Sequence, residues 1–85
     1  MIWNEVIKTY PYQWVLIEAI KARTESEKRL VEHMDIIGNF NEDGEGAFQK
    51  YIEMHKLHKD REYYIYHTSH DNLEISIKRW MGVRL

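Results

Sequence analysis

Cysteine is absent from this 85-residue chain, and proline and glycine are scarce, with one proline and four glycines. Without cysteine the chain can form neither disulfides nor thiolate metal sites, and nothing in it indicates an oxidising compartment. The longest apolar run, Trp14 to Ile17, is far shorter than the roughly 20 residues that a membrane-spanning helix needs. The first residues also lack the basic segment and apolar core of a signal peptide. We therefore expect a cytoplasmic protein that does not enter a membrane.

A large excess of charge of one sign is missing too. The 12 basic and 14 acidic side chains give a formal net charge of −2. Proteins that bind duplex DNA normally carry a dense basic surface, so the composition argues against duplex nucleic acid as the partner. Aromatic residues make up 13% of the chain, and side chains of this kind either fill a core or anchor an interface. The length is that of one domain, residues 1–85.

Two helices are predicted from the apolar spacing. The first is short and covers Ile2 to Lys8, and Pro11 prevents it from continuing. The second is longer and covers Ala47 to His58, with Asp43 as its N-cap. Five side chains share one side of this longer helix: Phe48, Tyr51, Met54, His55 and His58.

Four segments have the composition and alternation of strands: Trp14–Ala22, Arg29–Phe40, Glu62–Thr68 and Leu73–Trp80. A polar loop over residues 23–28 separates the first two. The predicted order is α-β-β-α-β-β. It indicates an α+β fold, in which two β-hairpins form a four-stranded antiparallel sheet with the long helix on one face.

Pairing of the first two strands is predicted with Ile17 opposite Met34 and Val15 opposite Ile36, on the face that holds the long helix. The other face then carries the pairs Trp14–Ile37, Leu16–Asp35, Glu18–His33 and Ile20–Val31. The N-terminal helix would cover part of this second face, and a second copy of the protein would cover the rest.

The second hairpin is predicted to turn at His70-Asp71-Asn72, with Asn72 in the left-handed conformation. In that register Tyr63, Ile65 and His67 share one face, and Tyr64 and Tyr66 lie on the other.

Few residues of the sequence are candidates for metal binding or catalysis. Four histidines are candidate metal ligands: His55, His58, His67 and His70. They match no recognised ligand motif, so no cofactor is expected. A histidine-based metal protein or enzyme is therefore kept only as an alternative. Glu18 and His33 are predicted as cross-strand neighbours, but a flat sheet offers no cleft for acid–base chemistry. We predict no catalytic residues.

The first alternative, ahead of the metal protein, is a regulator that binds single-stranded nucleic acid through its aromatic residues. Tyr64, Tyr66 and Trp80, with Lys78 beside them, have the character of a stacking platform for single-stranded nucleic acid. The glycine-aromatic motifs of RNA-binding sheets are absent.

The favoured interpretation is a non-enzymatic interaction or regulatory module that binds another protein, its own copy included as a homodimer. The apolar and aromatic residues exceed what one helix can cover. The predicted contacts combine apolar anchors, aromatic anchors and two arginines for carboxylates of the partner: Trp14, Ile20, Val31, Ile37, Tyr64, Tyr66, Trp80, Arg79 and Arg84.

Three segments, YPYQWVLIEAI, REYYIYHTS and IKRWMGVR, occur in this order along the chain. In this they resemble a family of small bacterial single-domain proteins, of Gram-positive and cyanobacterial type, that has no assigned function. The resemblance covers nearly the whole chain. It implies a bacterial, cytoplasmic, stand-alone domain and supplies no catalytic residues.

Overall fold

The computed structural model describes residues 1–76. The predicted contacts Arg79, Trp80 and Arg84 lie outside the described residues, as does the second half of the predicted fourth strand. The elements, in chain order, are α1 (Trp3–Thr9), β1 (Trp14–Glu25), β2 (Lys28–Asn39), α2 (Gly44–Leu57), β3 (Tyr63–His67) and β4 (Ile75–Ser76).

The predicted fold class is confirmed. The chain forms an α+β domain with a four-stranded sheet in the order β3-β1-β2-β4, and all neighbouring strands are antiparallel. β3 pairs with β1 over Trp14–Glu18, and β4 pairs with β2 at Lys28 and Arg29.

The predicted second hairpin is wrong. β3 and β4 lie at opposite edges of the sheet, so the chain between them crosses a face instead of making a tight turn. Asn72 is not left-handed, since positive φ angles among the described non-glycine residues occur at Tyr12, Ser26 and Asn41. The turn residues gave a local signal, whereas strand order depends on which edges the long first hairpin leaves open.

The first hairpin is longer and tighter than predicted. Its strands meet at a two-residue turn, Ser26 and Glu27, where Ser26 takes a left-handed φ of 57°. The predicted polar loop is therefore mostly strand. Two-residue hairpin turns need positive φ at one or both central positions, and here the non-glycine Ser26 supplies it.

The predicted register of this hairpin is also wrong. Ile17 pairs with Ile36, and Ala19 pairs with Met34. Ile20 and Ile37 have no partner across the ladder, because the register shifts at both positions. Such bulges insert an extra residue and bend the strand, and alternation alone does not reveal them. The four pairs predicted for the second face are absent for the same reason.

The face of the sheet that carries Val15, Ile17 and Met34 was predicted to hold the long helix. It packs against α1 instead. Trp3 and Val6 of α1 form a buried cluster with Val15, Ile17 and Met34. The short helix covers this face because its two apolar positions, three residues apart, point the same way. Leu73, from the β3–β4 connection, packs against the same cluster.

The opposite face packs against α2. Gly44 at the start of α2 lies so close to Trp14 that a Cβ would be 3.0 Å from its indole nitrogen. Ala47 and Leu16 are fully buried. Asp43 is the N-cap, as predicted, and accepts a 2.9 Å hydrogen bond from the Gly46 amide. No helix within residues 1–76 is long and apolar enough to cross a membrane.

Candidate functional site

A polar bridge spans the central strand of the sheet. Arg29 of β2 donates two hydrogen bonds to the Glu62 carboxylate, from Nε at 2.8 Å and from Nη2 at 2.9 Å. The Tyr64 hydroxyl donates to the same carboxylate. Because β1 lies between β2 and β3, the guanidinium must reach across it. The Arg29 side chain also donates to the Thr24 hydroxyl at 3.0 Å.

The charges of this bridge are mutually stabilised. Hydrogen bonding from Arg29 holds the pKa of Glu62 below its ordinary value, against the opposing effect of burial. Burial, followed by the hydrogen bond to Glu62, raises the pKa of Tyr64. The pKa of Arg29 is raised by its hydrogen bond to Glu62. All three groups therefore keep fixed protonation states near pH 7, which suits a structural role better than proton transfer.

His67 sits in an aromatic corner at the end of β3. Its ring meets the edges of Tyr12 and Trp14, with centroids 5.3 and 5.2 Å away. Nδ1 lies 2.9 Å from the Ser69 hydroxyl and accepts the Ser69 amide at 3.2 Å, while Nε2 lies 3.8 Å from Glu42. Because the Ser69 amide already engages Nδ1, this nitrogen is poorly placed to activate the hydroxyl as a nucleophile.

A second aromatic contact closes the α1 face. Trp3 meets Tyr66 edge to face, with centroids 5.6 Å apart, and its indole donates to the His70 carbonyl at 2.9 Å. The His70 ring tilts against Tyr66 at 4.9 Å. These contacts tie the β3–β4 connection to α1 and hold Tyr66 within the fold.

A shallow groove of about 390 Å³ lies between α1, β2 and the β3–β4 connection. Its floor includes Trp3, Val31 and Leu73, and its rim includes Glu32 and Glu74. Both rim acids have ion-pair partners in the same chain, because Glu32 lies 3.6 Å from Lys21 and Glu74 lies 3.8 Å from Lys28. Two of the three acids that line the groove, Glu32 and Glu74, are therefore engaged within the chain, and Asp71 is the third.

α2 carries exposed apolar side chains beside a row of stacked rings, of which Tyr51 and His55 are half-buried. Phe48, Tyr51 and His55 stack in a row, with ring centroids 6.0 and 5.9 Å apart. Phe48 and Ile52 are exposed, one helical turn from each other, and Leu57 near the helix end is 65% exposed. We call Phe48 and Ile52 the α2 flank.

The predicted contact residues fall into two groups. Ile20 and Ile37 are exposed, at 56% and 37%, because both occupy bulges. Val31 and Tyr66 pack against the α1 core cluster. Trp14 lies under α2, and Tyr64 belongs to the polar bridge. The structure does not gather these residues into one surface, and their role as contacts stays a prediction.

The predicted Glu18–His33 pair is not formed. Glu18 faces Asp35 across the ladder and lies 3.5 Å from Arg61, while His33 faces Lys21. The candidate histidine ligands are also dispersed. His55 stacks in the α2 row, His67 lies at the aromatic corner, and His70 lies across the sheet on the α1 side. Within residues 1–76 no three His, Cys, Asp or Glu side chains are grouped to hold a metal ion.

Sequence reasoning missed the α2 flank, because it grouped Phe48 with the other side chains of one helix side and did not single out Ile52. A signal was present in the small residues Gly44 and Ala47, three apart, which allow close approach to the sheet and therefore mark the contact line. One residue further round, Phe48 lies off that line.

Comparison with protein-family models, with curated protein sequences and with solved structures finds no match to this chain. The family resemblance drawn from the sequence segments therefore stays a prediction.

Proposed function

We propose that this domain is a non-enzymatic interaction module that works by binding protein, in a cytoplasmic setting and with self-association as one mode. The carrying observation is the exposed apolar surface of α2, where the two residues of the α2 flank lie in solvent. Exposed apolar side chains on one element are typical of a surface that another protein covers.

Two features of the surface support binding. The exposed side chains sit on a regular helix, so they are held in a fixed arrangement before a partner arrives, which reduces the entropy lost on binding. The aromatic row Phe48–Tyr51–His55 adds flat, weakly hydrated rings next to the flank. Aromatic side chains of this kind are enriched among the residues that dominate binding energy.

The polar groups of the bridge across β1 are engaged within the fold. Arg29, Glu62 and Tyr64 bond to one another. The nucleic-acid alternative gains no support from this arrangement, because Tyr66 is packed under Trp3 and the Tyr64 hydroxyl is bonded to Glu62. The metal-protein alternative likewise has no grouped ligand set within the described part of the chain.

Photo-crosslinking in cells tests the proposal. A photoreactive residue in place of Ile52 should give discrete adducts with protein. The same residue in place of Glu25, which is also exposed but lies at the hairpin tip, should not. An adduct of twice the chain mass would identify the partner as a second copy, and any other discrete mass would identify a different protein. The proposed function would be overturned if neither position gave adducts, or if both gave the same heterogeneous mixture of adducts without a discrete mass.

A further inference from the structure

We propose that two copies of this chain pair through their β3 edges, so that two four-stranded sheets join into one eight-stranded sheet with two α2 helices side by side. This inference rests on the proposed function and names the partner as a second copy.

The outer edge of β3 is open in the described part of the chain. β3 is the end strand of the sheet, and within residues 1–76 no strand pairs with its far side. Trp14 donates to Asn41 and accepts from Phe40, so the backbone polar groups of Trp14 point toward β2 and not toward β3. Strand alternation gives Leu16 the same direction.

The open edge presents backbone groups suited to an extended partner. Ile65 pairs with Leu16, and Tyr63 pairs with Glu18, both in the non-hydrogen-bonded positions of the β1–β3 ladder. The amide and carbonyl of Ile65 and of Tyr63 therefore point away from β1. An added antiparallel strand would satisfy these groups.

Natural edge strands often carry charged residues, proline or bulges that prevent pairing, and β3 carries none of these three. It has no lysine, arginine, aspartate, glutamate or proline, and its register with β1 has no bulge. The other edge of the sheet differs. There β4 covers Lys28 and Arg29, and Met1 exchanges backbone hydrogen bonds of 2.7 and 2.9 Å with Met34.

The strand is suited to pairing with itself. A twofold axis at Ile65 places Ile65 opposite its own copy, and Tyr63 opposite His67 of the second copy. Tyr64 then lies beside Tyr66 of the second copy. Aromatic pairs across neighbouring strands contribute roughly 0.2–1 kcal/mol each.

The α2 flank faces the same edge. α2 connects β2 to β3, which run parallel because both are antiparallel to β1. The backbone groups of Trp14 point toward β2, and its ring points toward α2. For an L-amino acid these two directions fix the side of β1 on which β2 lies, so the β2–α2–β3 connection is right-handed, as is usual. With about 100° per helical residue, Phe48 and Ile52 then lie on the flank toward β3, and Leu57 lies on the flank toward β2.

The dimensions agree with a helix pair across the axis. α2 runs in the same direction as β1, and its residue Gly44 lies beside Trp14. Leu16 is two residues, about 7 Å, further along β1 than Trp14. The same distance along α2 is roughly four residues beyond Gly44. This spacing places Phe48 near the level of Ile65 and close to the axis. A helix above the midpoint of β1 and β3 lies about 5 Å from the axis, so the two helices would be about 10 Å apart, a normal packing distance.

The experiment is sedimentation velocity on the full chain, followed from dilute solution to about 100 μM. The chain of 10.4 kDa should approach twice that mass as concentration rises. Phe48→Glu places two carboxylates at the axis and should weaken the dimer by about 100-fold or more, while Phe48→Leu should preserve it. Circular dichroism should show the same secondary structure in all variants.

Leu57→Glu is the matched control, because it also places an acid at an exposed apolar position of α2, on the far flank. It should leave the dimer unchanged. A monomeric wild-type chain across the whole concentration range would overturn the inference, as would a dimer that Leu57→Glu disrupts and Phe48→Glu does not. If the wild type is monomeric but Ile52 crosslinks to a different protein, the dimer is wrong and the proposed function stands.

Discussion

Arg29 and Glu62 share two hydrogen bonds although a whole strand separates β2 from β3. Arg29 pairs with Thr24, whereas the carbonyl of Glu62 accepts from Ala19, five residues earlier along β1. In a flat strand those positions would be about 16 Å apart. The register shifts between Ala19 and Ala22 bend the hairpin, which brings its tip over the sheet and allows the two side chains to meet.

Loss of this bridge should destabilise the fold. Glu62→Gln removes the negative charge to which Arg29 and Tyr64 both donate hydrogen bonds, and it should lower the free energy of unfolding by about 1–2 kcal/mol. The control is Glu53→Gln, which breaks the exposed Lys50–Glu53 pair and should cost less than about 0.5 kcal/mol. Urea titrations of the three proteins measure both values. Equal losses would show that the bridge is no stronger than a surface pair.

The contribution of Glu62 should also depend on pH. Its pKa is lower in the folded chain than in the unfolded chain, because Arg29 bonds to its charged form. The stabilisation is therefore present above the unfolded value of about 4.3 and is lost as the pH falls through the folded pKa. The difference in stability between the wild type and Glu62→Gln should be largest near pH 7 and shrink below about pH 4. A difference that grows toward acid would contradict this account of the bridge.

The buried residue beneath α2 should be costly to truncate. Leu16 is fully buried at the centre of the sheet, so Leu16→Ala should lower the free energy of unfolding by about 2–5 kcal/mol. Ile20→Ala, on the same strand but at an exposed bulge, should change it by less than about 0.5 kcal/mol. Chemical denaturation of both variants makes the comparison. A large effect at Ile20 would mean that its side chain is covered in solution.

The Trp3 indole should be needed to fix the β3–β4 connection. Trp3→Phe keeps an aromatic ring against Tyr66 but removes the donor to the His70 carbonyl, and it should cost about 1–3 kcal/mol. Tyr12→Phe removes an exposed hydroxyl and should be nearly neutral. Thermal unfolding compares the two. A neutral Trp3→Phe would show that the connection is held by other contacts.

The ends of the helices could be predicted from the side chains at those ends, whereas the order of the strands in the sheet could not. Asp43 as N-cap and Pro11 as the barrier after α1 follow from the side chains themselves. Strand order required knowing that β1 would pair with β3 along its other edge, which no turn residue encodes. The bulges at Ile20 and Ile37 follow from packing between strands, so the alternation pattern gave the wrong register.

The helix face was only partly predictable for a similar reason. Periodicity correctly gave one apolar side to α2, but that side is wider than the contact with the sheet. The close approach at Gly44 and Ala47 decides which part is buried and leaves Phe48 in solvent. That remainder is the surface on which the proposed function depends.

Amide hydrogen exchange along β3, measured by NMR at two protein concentrations, tests the central claim most directly. The Tyr64 and Tyr66 amides point toward β1 and should be protected at both concentrations, which makes them internal controls. The Tyr63 and Ile65 amides point outward, and they should be protected at high concentration and lose that protection on dilution or in Phe48→Glu. Rapid exchange of both at every concentration would contradict pairing through β3, and so would protection that dilution leaves unchanged.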